Sequence, residues 1–273
     1  MPPTTGPQLI TPHLAAEALF GLAPVHAEGR TATGSMRTEA WMTDASGRPS
    51  AGMLGVLVDD VVGQAALTAR PDGCWPVTTE LSIDVLDDLP ADGSTLTATG
   101  ELLAAGERTG TARGEVRGPS GRLLAVATVA TQYVPGVPDV GGEATAAPPL
   151  PSSTRHLHEA VHGLLERGAT GCAALEVPRS PALENVTGRG HGGVLVALGD
   201  VVAAAAVADE ERPPLRTSGL RITFLRPAVL DGALSLTARC VHRGRSTALT
   251  RVEVTGGDGR LCAAATITAC PGA

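Results

Sequence analysis

The sequence predicts an α+β chain made of two copies of one unit, each a curved antiparallel sheet wrapped around a single helix. Three observations carry this. First, the chain repeats itself at an interval of about 140 residues, too long for a solenoid repeat and right for two fused copies of a small domain. Gly52-Met-Leu-Gly-Val-Leu-Val-Asp-Asp60-Val-Val answers Gly192-Gly-Val-Leu-Val-Ala-Leu-Gly-Asp200-Val-Val, and Gly121-Arg-Leu-Leu-Ala-Val-Ala-Thr128 answers Gly259-Arg-Leu-Cys-Ala-Ala-Ala-Thr266. Second, each half holds one long apolar segment of helical period, followed by segments that alternate apolar and polar residues. Third, residues 134–153 contain five prolines and three glycines without periodicity, which reads as a linker. The expected organisation is an N-terminal copy over 1–133, the linker over 134–153 and a C-terminal copy over 154–273.

The elements follow from local pattern. Residues 31–42 and 172–177 are short strand-like segments that precede a helix in each half. The helices are predicted over 52–67 and 192–207, where apolar residues recur on every face and small residues permit close approach to a sheet. Strands are expected over 216–225, 233–242, 247–255 and 261–269. Leu234 and Leu236 alternate with Ser235 and Thr237, and Val252 and Val254 with Arg251 and Glu253, as in half-buried antiparallel strands. Gly256-Gly-Asp-Gly259 and Gly118-Pro-Ser-Gly121 supply the turns between the last two strands of each copy.

Composition narrows the function. With 273 residues, 43% of them hydrophobic, the chain is long enough to bury a sizeable core. The net charge of −7 argues against a nucleic-acid binder, which needs clustered cations to neutralise phosphates. Every base is arginine; there is no lysine. Aromatics are few (Phe20, Trp41, Trp75, Tyr133 and Phe224), which excludes a base-stacking platform and points to an aliphatic pocket. Residues 1–20 lack the basic start and unbroken apolar run of a signal peptide. The longest apolar run, 194–208, is interrupted by Asp200 and too short for a bilayer, so no membrane role is expected. The five cysteines form no CxxC pair, which fits a reduced, cytoplasmic chain without a disulfide framework or zinc ribbon.

The segment from Asn185 through His191, Gly192 and Gly193 to Asp200 is the richest in chemistry. It sets a histidine and two glycines at a helix N-terminus, where unpaired N–H groups and the helix dipole can hold an oxyanion. Glycine there lets a thioester carbonyl approach the backbone. Asp200 sits two turns inside an apolar helix, where burial raises a carboxyl pKa and suits it to general-base or nucleophilic work. The alternative is structural: a Gly-rich turn, a capping histidine and a carboxylate bonded to backbone.

This segment resembles the hotdog-fold acyl-CoA thioesterases of the phenylacetate-pathway and 4-hydroxybenzoyl-CoA type. Their pattern is an Asn six positions before His-Gly-Gly, then an acid eight residues after the first Gly, and Asn185, His191, Gly192, Gly193 and Asp200 fit it. The resemblance covers most of both halves and implies a tandem double hotdog. It implies an acyl-CoA or acyl-carrier-protein thioester as substrate, no cofactor, and pairing of two such molecules as a homodimer. Gly192 and Asp200 are eight residues apart, roughly 12 Å along a helix, so they cannot serve one carbonyl together. The acid must come from the other copy, in agreement with the family's cross-subunit sites. Matching Asp60-Val-Val to Asp200-Val-Val selects Asp60, with Asp59 an off-register alternative. The expected site therefore combines Asn185, His191 and Gly192 with Asp60, and Gln64, one turn on, orients a water. The reciprocal site of Gly52 and Asp200 is expected to be impaired. Aligned this way, Ala51 stands for His191, Met53 for the second Gly and Ala45 for Asn185.

Other readings compete. His158-Glu-Ala-Val-His162 satisfies the H-E-x-x-H zinc signature, but Gly163 and Gly168 would soon end the helix and no third ligand follows in a suitable context. It is expected to be a surface helix, and no metal site is assigned. Asn185-Val-Thr187 is a glycosylation sequon without a secretory context. Arg243-Gly-Arg245 sits at a turn where it offers charge-assisted bonds to CoA phosphates, or is simply solvated. Two functions other than hydrolysis are carried forward: a double-hotdog lyase or isomerase (dehydratase, hydratase or cyclase), which also uses a histidine and an acid from different halves, and a non-catalytic acyl-binding protein.

Overall fold

The computed structural model of the chain describes residues 14–137, 146–209 and 211–272. The expectation for the first 13 residues and the centre of the linker, 138–145, lies outside them.

Two helices and one sheet form the body. The first half runs α1 (Ala15–Leu19), β1 (His26–Glu28), β2 (Thr31–Arg37), a single 3₁₀ turn at Ala51–Met53, α2 (Leu54–Leu67), β3 (Cys74–Val85), β4 (Thr95–Ala105), β5 (Thr109–Arg117) and β6 (Leu123–Pro135). The second runs α3 (Leu157–Ala160), β7 (Leu164–Arg167), β8 (Cys172–Val177), a 3₁₀ turn at Pro181–Leu183, α4 (Gly192–Val207), β9 (Arg216–Phe224), β10 (Leu234–Arg243), β11 (Ala248–Thr255) and β12 (Leu261–Cys270). Among the described residues, all 12 strands join one sheet in the order β1-β2-β4-β5-β6-β3-β9-β12-β11-β10-β8-β7. Read from the centre outward, the two sides have the same order, so β3 and β9 form a seam about which the sheet is pseudo-symmetric. They pair antiparallel from Glu80–Thr223 to Asp84–Gly219.

The alternation predicted from sequence is visible as burial. In β5 every second residue (Gly110, Ala112, Gly114, Val116) is buried and the others are exposed, and β10 and β11 do the same for most of their length. The inner faces close on α2 and α4, whose residues are nearly all buried. Such helices cannot take one apolar side: each packs on its own half of the sheet and on the other helix. That second contact needs glycine. A Cβ at Gly193 would stand 2.5 Å from Val56 Cα, and one at Gly52 would stand 2.6 Å from Asp200 Cβ. The helices therefore cross with their N-terminal ends beside each other's flanks, and the acids of each helix face the N-terminus of the other. Among the described residues, no helix is long and apolar enough to cross a membrane.

Candidate active site

The loop before each helix is built identically. Asn185 Oδ1 accepts the Thr187 N–H (2.9 Å), the Thr187 hydroxyl (2.7 Å) and the Arg189 N–H (3.1 Å). In the first half Asp44 Oδ1 accepts the Ser46 N–H (2.8 Å), the Ser46 hydroxyl (2.5 Å) and the Arg48 N–H (3.2 Å). Gly47 (φ 83°) and Gly188 (φ 67°) take the left-handed turn position in each. Ser50 and His191 then hold the same backbone angles before their helical turns, φ −77°, ψ 125° and φ −69°, ψ 124°.

These contacts correct the register inferred from sequence. Asp44 is the counterpart of Asn185, Ser50 of His191, Ala51 of Gly192 and Gly52 of Gly193; Ala45, Ala51 and Met53 do not hold the positions first given them. The acids follow suit. Asp200 Oδ2 accepts the Gly52 N–H (2.9 Å), and its Oδ1 accepts the Thr217 hydroxyl (2.6 Å). Across the pseudo-twofold, Asp59 Oδ2 accepts the Gly193 N–H (2.9 Å) and its Oδ1 accepts the Thr78 hydroxyl (3.0 Å). Asp59, not Asp60, thus corresponds to Asp200. The match of Asp60-Val-Val with Asp200-Val-Val misled because both helices are apolar enough to align one residue out of step. The nine-residue likeness of Asp44-Ala-Ser-Gly-Arg-Pro-Ser-Ala-Gly52 to Asn185-Val-Thr-Gly-Arg-Gly-His-Gly-Gly193 is the signal that would have set the register.

The second-half loop and the first-half helix meet at a cavity of about 130 Å³ lined by Asn185, His191, Gly192, Asp59, Asp60 and Gln64, among others. No hydrogen bond among the described residues uses the Gly192 N–H, which opens a helix of 16 residues. His191, 4% exposed, is ringed by carboxylates. Asp60 Oδ2 lies 3.4 Å and Glu17 Oε1 3.6 Å from Nε2, and Asp59 Oδ2 lies 3.6 Å from Nδ1. Nδ1 also faces the Gly193 N–H at 3.1 Å. Burial pushes the Asp60 carboxyl up to about 6, against the opposing pull of His191. Burial pulls His191 down, but Asp60, with Glu17 and Asp59 behind it, more than offsets this and holds the imidazole well above the ordinary histidine value. Sequence reasoning missed Glu17 of α1, Thr78 of β3 and Trp75, which also line this cavity. A short helix far from the motif gave no periodic signal.

The reciprocal site is differently built. Asp200, 2% exposed, adds the Ser50 hydroxyl (2.7 Å) to its Gly52 and Thr217 bonds, and burial raises its carboxyl. It borders a larger cavity of about 590 Å³ whose walls include Ala203, Ala204, Leu215 and Ile267. Arg243 lines this larger cavity, not the one at Gly192. Its guanidinium donates to the carbonyls of Val207 (3.4 Å), Pro213 (2.6 Å) and Gly244 (2.5 Å), tying the end of α4 to β10, while Arg245 is exposed on the turn.

Glu17, Asp60 and His191 bring three potential ligand atoms within 4.8 Å of one another. His158 and His162 do not share a helical face. α3 ends at Ala160, His162 has φ 57°, and the Glu159 carboxylate accepts the N–H groups of Arg155 (2.6 Å) and His156 (3.2 Å) as a cap.

Residues 187–263 match the family model described as the Thioesterase superfamily. Solved structures match the fold across most of the chain. An acyl-CoA thioesterase II from Mycobacterium marinum is 16% identical with a TM-score of 0.58, covering 94% of this chain and 96% of its own. The 12:0-ACP thioesterase from Umbellularia californica is 12% identical with a TM-score of 0.58, covering 89% and 95%. A hot dog fold protein from Alicyclobacillus acidocaldarius is 16% identical with a TM-score of 0.56, covering 95% and 98%. A search of curated proteins finds no match. With its sheet and helices superposing on these structures nearly end to end, the chain has the double hotdog fold, and the stretch 187–263 within it is similar to the Thioesterase superfamily.

Proposed function

We propose that this protein hydrolyses an acyl thioester of CoA or of an acyl carrier protein in the cavity between the second-half loop and α2. The observation that carries the reading is the open N–H of Gly192 at a helix N-terminus with Asp59 of the other half beside it. The N–H and the helix dipole polarise the thioester carbonyl and hold the oxyanion. Asp59, oriented by Thr78 and the Gly193 N–H, takes a proton from the attacking water. Asn185 keeps the loop in shape, because its side-chain oxygen is committed to Thr187 and Arg189. In this reading the chain consists of two fused copies, 1–133 and 154–273, each completing the other's site.

The His191–Asp60 pair favours a second reading, a lyase or isomerase moving protons on the acyl chain. Incubation with a panel of acyl-CoAs, followed by thiol release and product mass, separates the two. Free CoA with the carboxylic acid supports hydrolysis; a mass change of one water without free thiol supports the lyase. Binding without turnover overturns both.

A further inference from the structure

The cavity of about 590 Å³ on the Ser50 side has no part in the hydrolytic reading. Asp200, Ala203, Ala204 and Val207 line it from α4 at helical spacing, and Leu215 and Ile267 line it from the sheet side. The alanines leave the space between helix and sheet open. Its inner end is closed to chemistry. Ser50 stands where the other side has His191, and both oxygens of Asp200 are taken, Oδ2 by the Ser50 hydroxyl (2.7 Å) and the Gly52 N–H (2.9 Å), Oδ1 by the Thr217 hydroxyl (2.6 Å). The other carboxylates that line the cavity also have partners. Asp44 accepts from its own loop, Asp87 pairs with Arg122, Asp88 with Arg216 (3.4 Å) and Asp209 with Arg212 (3.1 Å). Arg167 and Arg243 line the same cavity and, among the described residues, face no carboxylate within ion-pair distance. An arginine has five N–H donors. The carbonyls of Val207, Pro213 and Gly244 take three of those of Arg243, which fixes the guanidinium at the end of α4 and leaves the others for a ligand.

We propose that this cavity binds a free aliphatic carboxylate of medium chain length and does not transform it. The chain lies among Ala203, Ala204, Leu215 and Ile267, and the carboxylate sits at Arg243 and Arg167, where α4 ends. Pockets of ~300–1,000 Å³ enclose drug-sized molecules, and a chain of about eight to ten carbons falls in that range. The two ends of the cavity match the two ends of such a molecule. Apolar walls take the chain, and a planar guanidinium already held in place takes both carboxylate oxygens through parallel N–H bonds. Holding Arg243 in advance lowers the entropy cost of binding. A free acid of this class is what hydrolysis at Gly192 would release, yet binding needs no turnover, so the proposal stands apart from the hydrolytic reading.

The test is equilibrium dialysis of the full chain against radiolabelled octanoate and, separately, octan-1-ol. One octanoate per chain is expected, with affinity rising ~fourfold per methylene from hexanoate to decanoate. Arg243→Gln with Arg167→Gln should weaken octanoate about tenfold and leave octan-1-ol unchanged, a split that lost packing alone does not produce. Ala204→Phe, which fills the cavity from a half-buried position on α4, should abolish binding of both. Gly63→Leu crowds the cavity at Gly192, where its Cβ meets open space, and should leave octanoate binding intact. Binding that survives Ala204→Phe, binding that Gly63→Leu removes, equal weakening of acid and alcohol in the arginine variant, or a wild-type Kd above ~1 mM for every chain length overturns the proposal. If Ala204→Phe does not fold, Ala204→Leu is held to the same outcomes. Thiol release from acyl-CoAs tests the hydrolytic reading separately, because dialysis needs no turnover.

Discussion

Asp59 and Asp60 are neighbours in sequence, yet successive side chains on a helix point about 100° apart, so they serve different partners. Asp59 reaches the amide of the opposing helix, and Asp60 reaches the imidazole. Substitution should separate them. Asp59→Asn is expected to lower kcat by ~10²–10⁴, the usual loss for a general base, with the folded state intact. Asp200→Asn acts on a carboxylate fully occupied by Ser50, Gly52 and Thr217, and should chiefly lower stability, by ~1–3 kcal/mol. Steady-state thiol release and urea unfolding on both variants check this. A dead Asp200→Asn beside an active Asp59→Asn would move the site to the larger cavity.

The helix pair decides which residues meet, and its close contact is testable at Gly193. Gly193→Ala drives a methyl group into the backbone of α2 at Val56, so it should cost ~1–3 kcal/mol or more and lower Tm. The helices and the strands of the second half were legible in sequence because helical period and alternation are strong over ten or more residues, as at 192–207 and 234–243. The register between the helices was harder to read, because the Asp59-Asp60 doublet lets either acid be set against Asp200 in two strongly apolar helices; the likeness of the preceding loops, 44–52 and 185–193, carries the register, and the loop hydrogen bonds agree with it. The short α1 escaped for a related reason: five residues make little more than one turn, and tertiary packing places Glu17. At α3 the H-E-x-x-H spacing fails because the helix stops before His162, so activity should survive EDTA; loss of turnover restored by zinc would contradict this.

For the whole molecule, the buried cluster makes stability depend on pH. Asp60 titrates at about 6 in the folded state against 3.8 as its ordinary value, so its contribution is full below about 3.8 and is lost as pH rises through about 6. His191, raised above 6.5, contributes fully below that value and loses its contribution as pH rises through its folded value. Melting curves from pH 4 to 9 should therefore show a component that falls with rising pH and flattens in Asp60→Asn. Equal slopes in both proteins would show that the cluster is not titrating as the geometry requires.

The seam at β3 and β9 also bears on how the two sites can change. In an assembly of identical chains, every substitution appears at each symmetric position at once, so a change that improves one pocket is imposed on its twin. Here one chain supplies both sides of the axis, and the positions are separately encoded. Ser50 can stand where the other side has His191, Ala51 where it has Gly192, and a cavity of about 590 Å³ where it has about 130 Å³. Covalent continuity across the axis thus frees each pocket to specialise while the sheet between them keeps its symmetry.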